Sequence, residues 1–150
     1  MTNQRSRYLP PGRFTRYVMN PLVAGLTRLG LPLAGSAVLG VRGRHSGELR
    51  TVPVNPLPFE GRRYLVAARG ETQWVRNLRV SGTAELSVGR RTEQVRATVL
   101  TDPADTVPVL REYLRRWAWE VGAFFEGVDS SSSDDELAAA AHRHPIFVLS

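Results

Sequence analysis

The chain has 150 residues, 42% of them apolar and 23% charged, the size and balance of one folded domain rather than a disordered segment. It contains no cysteine, which excludes a disulfide scaffold, a thiolate nucleophile and cysteine-ligated zinc or iron–sulfur centres. All 20 basic residues are arginine, so lysine-based covalent and base chemistry is excluded, and the net charge of +6 points to an anionic partner: nucleic acid, membrane surface or cofactor.

Residues 1–12 read as a basic, flexible arm that Pro10-Pro11-Gly12 breaks off. Arg5, Arg7, Arg13 and Arg16 stand where a signal peptide would need an apolar run, so none is expected. Phe14, Val18, Leu22 and Leu26 recur at helical spacing and predict a helix through about Arg28, disturbed at Pro21. Arg28, Pro32 and the repeated glycines interrupt Pro21 to Val41, too often for a spanning helix of about 20 apolar residues. A cytoplasmic protein is expected, with the basic arm as a candidate for peripheral membrane contact.

The middle of the chain reads as strands. Ala37–Val41 and Leu49–Pro56 are predicted to pair across the turn Gly43 to Gly47, and Glu60-Gly61 turns into a strand at Arg63–Ala68. Gln73–Val80 breaks the pattern as a short helix. Ala84, Leu86 and Val88 then alternate with polar residues, and Gly89-Arg90 leads into Glu93–Leu100, where Val95, Ala97 and Val99 share a face. Strands joined by short turns without βαβ alternation predict an antiparallel barrel, not a Rossmann sheet.

The last third is predicted helical. Asp102 and Pro103 make an N-cap and first turn, and Val107, Leu110, Leu114, Trp117 and Val121 form one apolar stripe. Glu112 and Arg116 are expected as an exposed i,i+4 pair. Ser130 to Ser133 reads as a flexible loop, Ser133 and Glu136 as the capping box of a helix over Glu136–Ala141, and Pro145–Leu149 as a closing strand. The fold class expected is α+β: a single domain over 1–150, an antiparallel barrel with one helix before it and helices packed after it.

Two segments can carry chemistry. Gly43-Arg44-His45-Ser46-Gly47, followed by Arg50 and Pro53, sets glycine N–H groups, a hydroxyl and two guanidinium forks on one hairpin. It is either an anion cradle or an ordinary solvated basic hairpin. The second runs from Ala68-Arg69-Gly70 to Trp74 and Asn77-Leu78; these residues frame a planar ring, or Trp74 and Leu78 belong to the core. His142 and His144 lie near Asp134 and Asp135, but their spacing places no third ligand, and no metal site is expected. No Ser–His–Asp set is evident either.

In this order and spacing the two segments, over roughly Val38 to Val99, resemble the deazaflavin-dependent nitroreductase family, small split-barrel oxidoreductases of actinobacteria. The family pattern is a Gly-Arg-Lys-Ser-Gly hairpin with a downstream Arg and Pro, then Ser-Lys-Gly, then a Trp or Tyr and an Asn-Leu pair. This chain departs from it with His45 for the lysine and with Ala68-Arg69-Gly70-Glu71 for Ser-Lys-Gly-Gly. The resemblance implies a split β-barrel that binds coenzyme F420, a deazaflavin with a phospholactyl–oligoglutamate tail, and passes its hydride to a quinone or nitroaromatic. It implies cofactor contacts from Arg44, His45, Ser46, Gly47, Arg50, Pro53, Ala68, Arg69, Gly70, Trp74, Asn77 and Leu78. Tyr17, Trp74, Tyr113 and Trp117 would line the acceptor's entry, and no catalytic proton donor is identifiable. The competing readings are a split barrel that binds FMN, and a basic nucleic-acid-binding barrel; against the latter, the tryptophans are not spaced as a stacking platform.

Overall fold

The computed structural model describes residues 37–150. The basic arm, the helix expected from Phe14 to Arg28, and Tyr17 lie outside the described residues. The apolar run Ala37–Arg42 forms strand β1 and Leu49–Val54 forms β2; they pair antiparallel with Val41 opposite Arg50. The strand expected to continue to Pro56 stops at Val54, and Leu57–Phe59 forms a separate short strand, β3. Glu60 and Gly61 then turn the chain into β4, Arg62–Val66.

The helical excursion is α1, Gln73–Ser81. Strands β5, Thr83–Val88, and β6, Arg91–Val99, follow as a hairpin. Ala84 and Leu86 face inward as their alternation predicts, but Val88, at the hairpin end, is 44% exposed. Helix α2, Pro103–Val121, starts on Asp102, whose side chain accepts from the Ala104 N–H, and all five residues of the expected stripe are buried. It bends at Trp117, where φ is −126° and ψ is 16°, and runs on into a 3-10 turn at Gly122–Phe125. Helix α3, Asp134–Arg143, has the complete Ser133–Glu136 capping box, and β7, Ile146–Leu149, ends the fold.

Two expectations for this region change. Ser130 to Ser133 is held in place, because Arg111 Nη1 donates to the carbonyls of Ser130 and Ser132 and Nη2 meets Asp134 at 2.6 Å. Glu112 does pair with Arg116, at 3.7 Å, but its side chain is only 17% exposed and its carboxylate is held more closely by Arg115, whose Nε donates at 2.8 Å.

The strands form one antiparallel sheet in the order β2-β1-β5-β6-β7-β4-β3. Strand β6 makes the corner: Arg91 to Arg96 pair with β5, whereas Ala97 to Val99 pair with β7. The sheet therefore curls into a half-barrel whose ends, β2 and β3, remain apart in the strand order. Each face covers its own core. Inside the curl, Leu39, Val41, Leu65, Leu86, Val95 and Phe147 pack on Val75 and Leu78 of α1. Outside, Tyr64, Val66 and Ile146 meet Leu110, Leu114, Trp117 and Phe125 beneath α2, with Leu137 of α3. Strands β4 and β7 are buried on both faces, which is why Tyr64 to Ala67 and Ile146 to Leu149 read as unbroken apolar runs. Leu78 is wholly buried, a contribution of about 1.5–3 kcal/mol that seats α1 in the barrel.

Candidate functional site: the arginine hairpin on helix α1

The β1–β2 turn closes on itself. The Gly43 N–H donates to Glu48 O (2.8 Å), the Gly47 N–H to Gly43 O (2.9 Å), and the Glu48 N–H to Ser46 Oγ (3.1 Å). A Cβ on Gly43 would stand 2.8 Å from Ser46 Oγ, so the missing side chain leaves room for that hydroxyl inside the turn, and Arg50 Nε lies at ordinary contact distance, 3.6 Å, from the same point. The register puts Arg50 opposite inward-facing Val41, hence on the α1 side of the sheet. Its side chain is 62% exposed, and its ion pair with Glu48, at 3.8 Å, is too long and too solvated to hold it strongly.

Arg44 is anchored instead. Its backbone N–H donates to Asn77 Oδ1 at 3.0 Å, and its Nη1 donates to the same oxygen at 2.8 Å and to Gln73 Oε1 at 2.9 Å. Gln73 and Asn77 are four residues apart on α1 and so share the face that meets the hairpin. Asn77 is only 4% exposed. Both its partners are donors, which fixes Oδ1 toward Arg44 and directs Nδ2 away from it. Among the described residues no acceptor meets the Nε–Nη2 edge of Arg44, so half of the fork stays available to an anion. Arg42, which the motif reading passed over, adds a third guanidinium, its Nη1 donating to Gly47 O at 3.3 Å. His45, Ser46 and Gly47 are exposed at the tip, and Pro53 is half-buried opposite Val38.

The second segment is less unified than its sequence implies. Ala68 is half-buried against the outer core, and Arg69 lies over the Phe124 ring, 5.2 Å from its centroid. Gly70 adopts φ +83°, where a side chain would be strained. Trp74 is half-buried beside Phe147, its ring centroid 6.1 Å away, on the inner core. Leu78 is core and reaches no surface. Tyr113 and Trp117 stack edge-on at 5.3 Å, but they are buried in the outer core under α2, across the sheet from Trp74. The structure thus brings Arg44 and Asn77 together, with Arg50 on the same hairpin, and does not gather Trp74, Tyr113 and Trp117 around one entrance. Burial, and secondarily the charge of Glu120, holds the Tyr113 phenol well above its ordinary pKa, so it stays protonated.

Two further buried groups lie beside this segment; His144 enters the sequence reading only as a metal candidate beside His142, and Thr72 not at all. Thr72, at the N-cap of α1, is 7% exposed, and among the described residues its hydroxyl has no hydrogen-bond partner. His144 is 6% exposed, with Nδ1 3.2 Å from Ala67 O and its ring stacked on Phe125 at 4.1 Å. Burial lowers the His144 pKa; the Ala67 and Ala68 carbonyls and Glu126 oppose the shift and Arg143 adds to it. His142 is exposed, and among the described residues no group of His, Asp and Glu is arranged to hold a metal. Nor is any described helix long and apolar enough to cross a membrane. A groove of about 630 Å³ between α2 and α3, beside Phe59 and Arg111, lies away from the hairpin.

The sequence model of the F420H(2)-dependent quinone reductase family matches residues 17–128, which include the hairpin, α1 and most of the barrel. The chain belongs to the F420H(2)-dependent quinone reductase family. It is accordingly an oxidoreductase of the F420H2-dependent kind, and neither FMN nor nucleic acid is needed to account for it. No curated protein matches the chain.

Among solved structures, HutZ, a heme storage protein from Vibrio cholerae, is similar at 11% identity and TM-score 0.54, over 77% of this chain and 80% of that one. A candidate pyridoxamine 5′-phosphate oxidase from Listeria innocua follows at 9% identity and TM-score 0.53, over 77% and 82%. These likenesses show the split-barrel fold and nothing of the ligand. An F420-H2 dependent reductase, FDR-A, is 19% identical over 77% of this chain and 94% of that one, with a TM-score of 0.48.

Proposed function

We propose that this quinone reductase family member holds the anionic tail of F420 on the β1–β2 hairpin and reduces a planar acceptor, a quinone or a nitroaromatic. The observation that carries the reading is the Arg44 clamp. Asn77 and Gln73 take Nη1 of the guanidinium, no described residue takes its other edge, and exposed Arg50 follows on the same hairpin. Arg42, Arg44 and Arg50 outnumber the one carboxylate of the hairpin, Glu48, so the hairpin has a positive surplus that suits a phosphate and a chain of carboxylates. The exposed Ser46 hydroxyl adds a neutral donor. Arg69 is a second cationic contact for the tail, reached from the end of β4.

Bound F420H2 supplies a hydride at the carbon that replaces the reactive flavin nitrogen. The chain's own work is to bind and orient the tail, to seat the ring against the α1 side of the barrel mouth, and to keep water from it. Trp74 is the aromatic side chain best placed beside that ring. The test mixes the purified protein separately with oxidised F420 and with FMN while cofactor fluorescence is followed, then supplies F420H2 with a benzoquinone or a nitroaromatic. Selective F420 binding with turnover of one acceptor class supports the reading. Tight FMN binding without F420 binding would sink it.

A further inference from the structure

The Ala67–Gly70 turn carries Arg69 from the end of β4 toward α1 and is closed by its own backbone bonds, Ala68 N–H to Val66 O and Gly70 N–H to Ala67 O, both at 3.0 Å. It is docked on the segment between α3 and β7. The Ala67 N–H donates to Pro145 O at 2.8 Å, and the Ala67 carbonyl accepts both the Gly70 N–H at 3.0 Å and, at 3.2 Å, His144 Nδ1. A Cβ on Gly70 would come within 3.2 Å of Arg143 O, so the turn packs backbone against backbone there. The contacts fix the His144 tautomer: Nδ1 carries the hydrogen, because a carbonyl oxygen can only accept.

Two consecutive aromatic residues complete the support. Phe125 is wholly buried and stacks on the His144 ring, whereas its neighbour Phe124 lies beneath the Arg69 guanidinium. The 3-10 turn after α2 thus touches both the histidine that ties down the turn and the arginine that the turn displays. A long side chain such as arginine loses freedom when a ring face holds its head, so less is lost when an anion binds.

We propose that Phe124 and His144 are positioning residues for Arg69: they hold the turn and the guanidinium where the arginine meets the anionic tail of the cofactor. The proposal rests on the reading of Arg69 as a cofactor contact, and the test separates the two. Dissociation constants for oxidised F420 are measured by fluorescence for Arg69→Gln, Phe124→Leu, the double variant and Phe124→Tyr, with thermal unfolding as the control on folding.

Arg69→Gln should weaken binding about 10-fold and Phe124→Leu about 3-fold. Phe124→Leu should add nothing in the Arg69→Gln background, and Phe124→Tyr, which keeps the ring face, should bind as the wild type does. His144→Leu should behave like Phe124→Leu, and His144→Asn, which keeps a donor near Nδ1, should restore affinity. Unchanged binding in Arg69→Gln would remove the cofactor contact itself. Weakened Arg69→Gln with fully additive Phe124→Leu, or with loss in Phe124→Tyr as well, would overturn the positioning role and leave the contact standing.

Discussion

Arg50 owes its availability to its neighbours. Strand β2 holds its backbone, and Glu48 at 3.8 Å competes only weakly for its charge. A charge-assisted hydrogen bond contributes about 1.5–3 kcal/mol, so Arg50→Ala should weaken F420 binding by about 10- to 100-fold while circular dichroism stays unchanged. The loss should shrink as salt rises, because an exposed guanidinium is screened. Unchanged affinity in the folded variant would reduce Arg50 to a solvated strand residue. Thr72 presents the reverse case, a buried hydroxyl without a partner among the described residues. Valine has nearly its shape without the polar atom, so Thr72→Val should raise the unfolding free energy by about 1 kcal/mol, measured by denaturant titration. A drop in stability would mean that the hydroxyl has a partner in solution, such as a bound water.

At the scale of elements, the site is a joint between a hairpin and a helix. Asn77 Oδ1 is the only side-chain acceptor that the described contacts give to the Arg44 backbone N–H, and it also takes the guanidinium of the same residue. Asn77→Ala therefore strands a part-buried donor and frees the hairpin from α1. It should cost about 1–3 kcal/mol of stability and weaken F420 binding together. Asn77→Asp keeps the acceptor and should retain most of both. Loss of affinity with full stability in Asn77→Ala would shift the residue's role from joint to direct cofactor contact. The hairpin and α1 were each recognisable in the chain, but that they are bonded to one another was not. Residues 44 and 77 are 33 positions apart, and their meeting depends on β1 and α1 being seated in the same barrel.

For the whole molecule, His144 links pH to folding. Its pKa in the fold lies below the ordinary value of 6.5, chiefly through burial, so the neutral ring is the form that folds. Its contribution is fully present above about pH 6.5. As pH falls through that value the unfolded chain takes up a proton first, and stability is lost progressively until the folded ring titrates too. Denaturant midpoints measured between pH 8 and pH 5 should fall toward acid, and His144→Asn should flatten the decline. An equal decline in the variant would assign it to carboxylates instead.

Much of this architecture is written in local pattern. Alternation in β5, the apolar stripe of α2, the caps at Asp102 and Ser133 and the glycine turns depend on neighbours within a few residues, so the chain alone identified an α+β fold with an antiparallel barrel, and its ordered motifs resembled the right family. What the chain could not display is which face of a doubly buried strand looks where. Trp74 and Trp117 are both aromatic residues on helices, yet the sheet sends one to the inner core and the other to the outer, because β4 and β7 bury side chains on both faces. Leu78 fills the barrel for the same reason rather than meeting a ligand. Local propensity sets the elements; only the closing of the sheet at β6 decided which arginines share a surface and which aromatic residues became core.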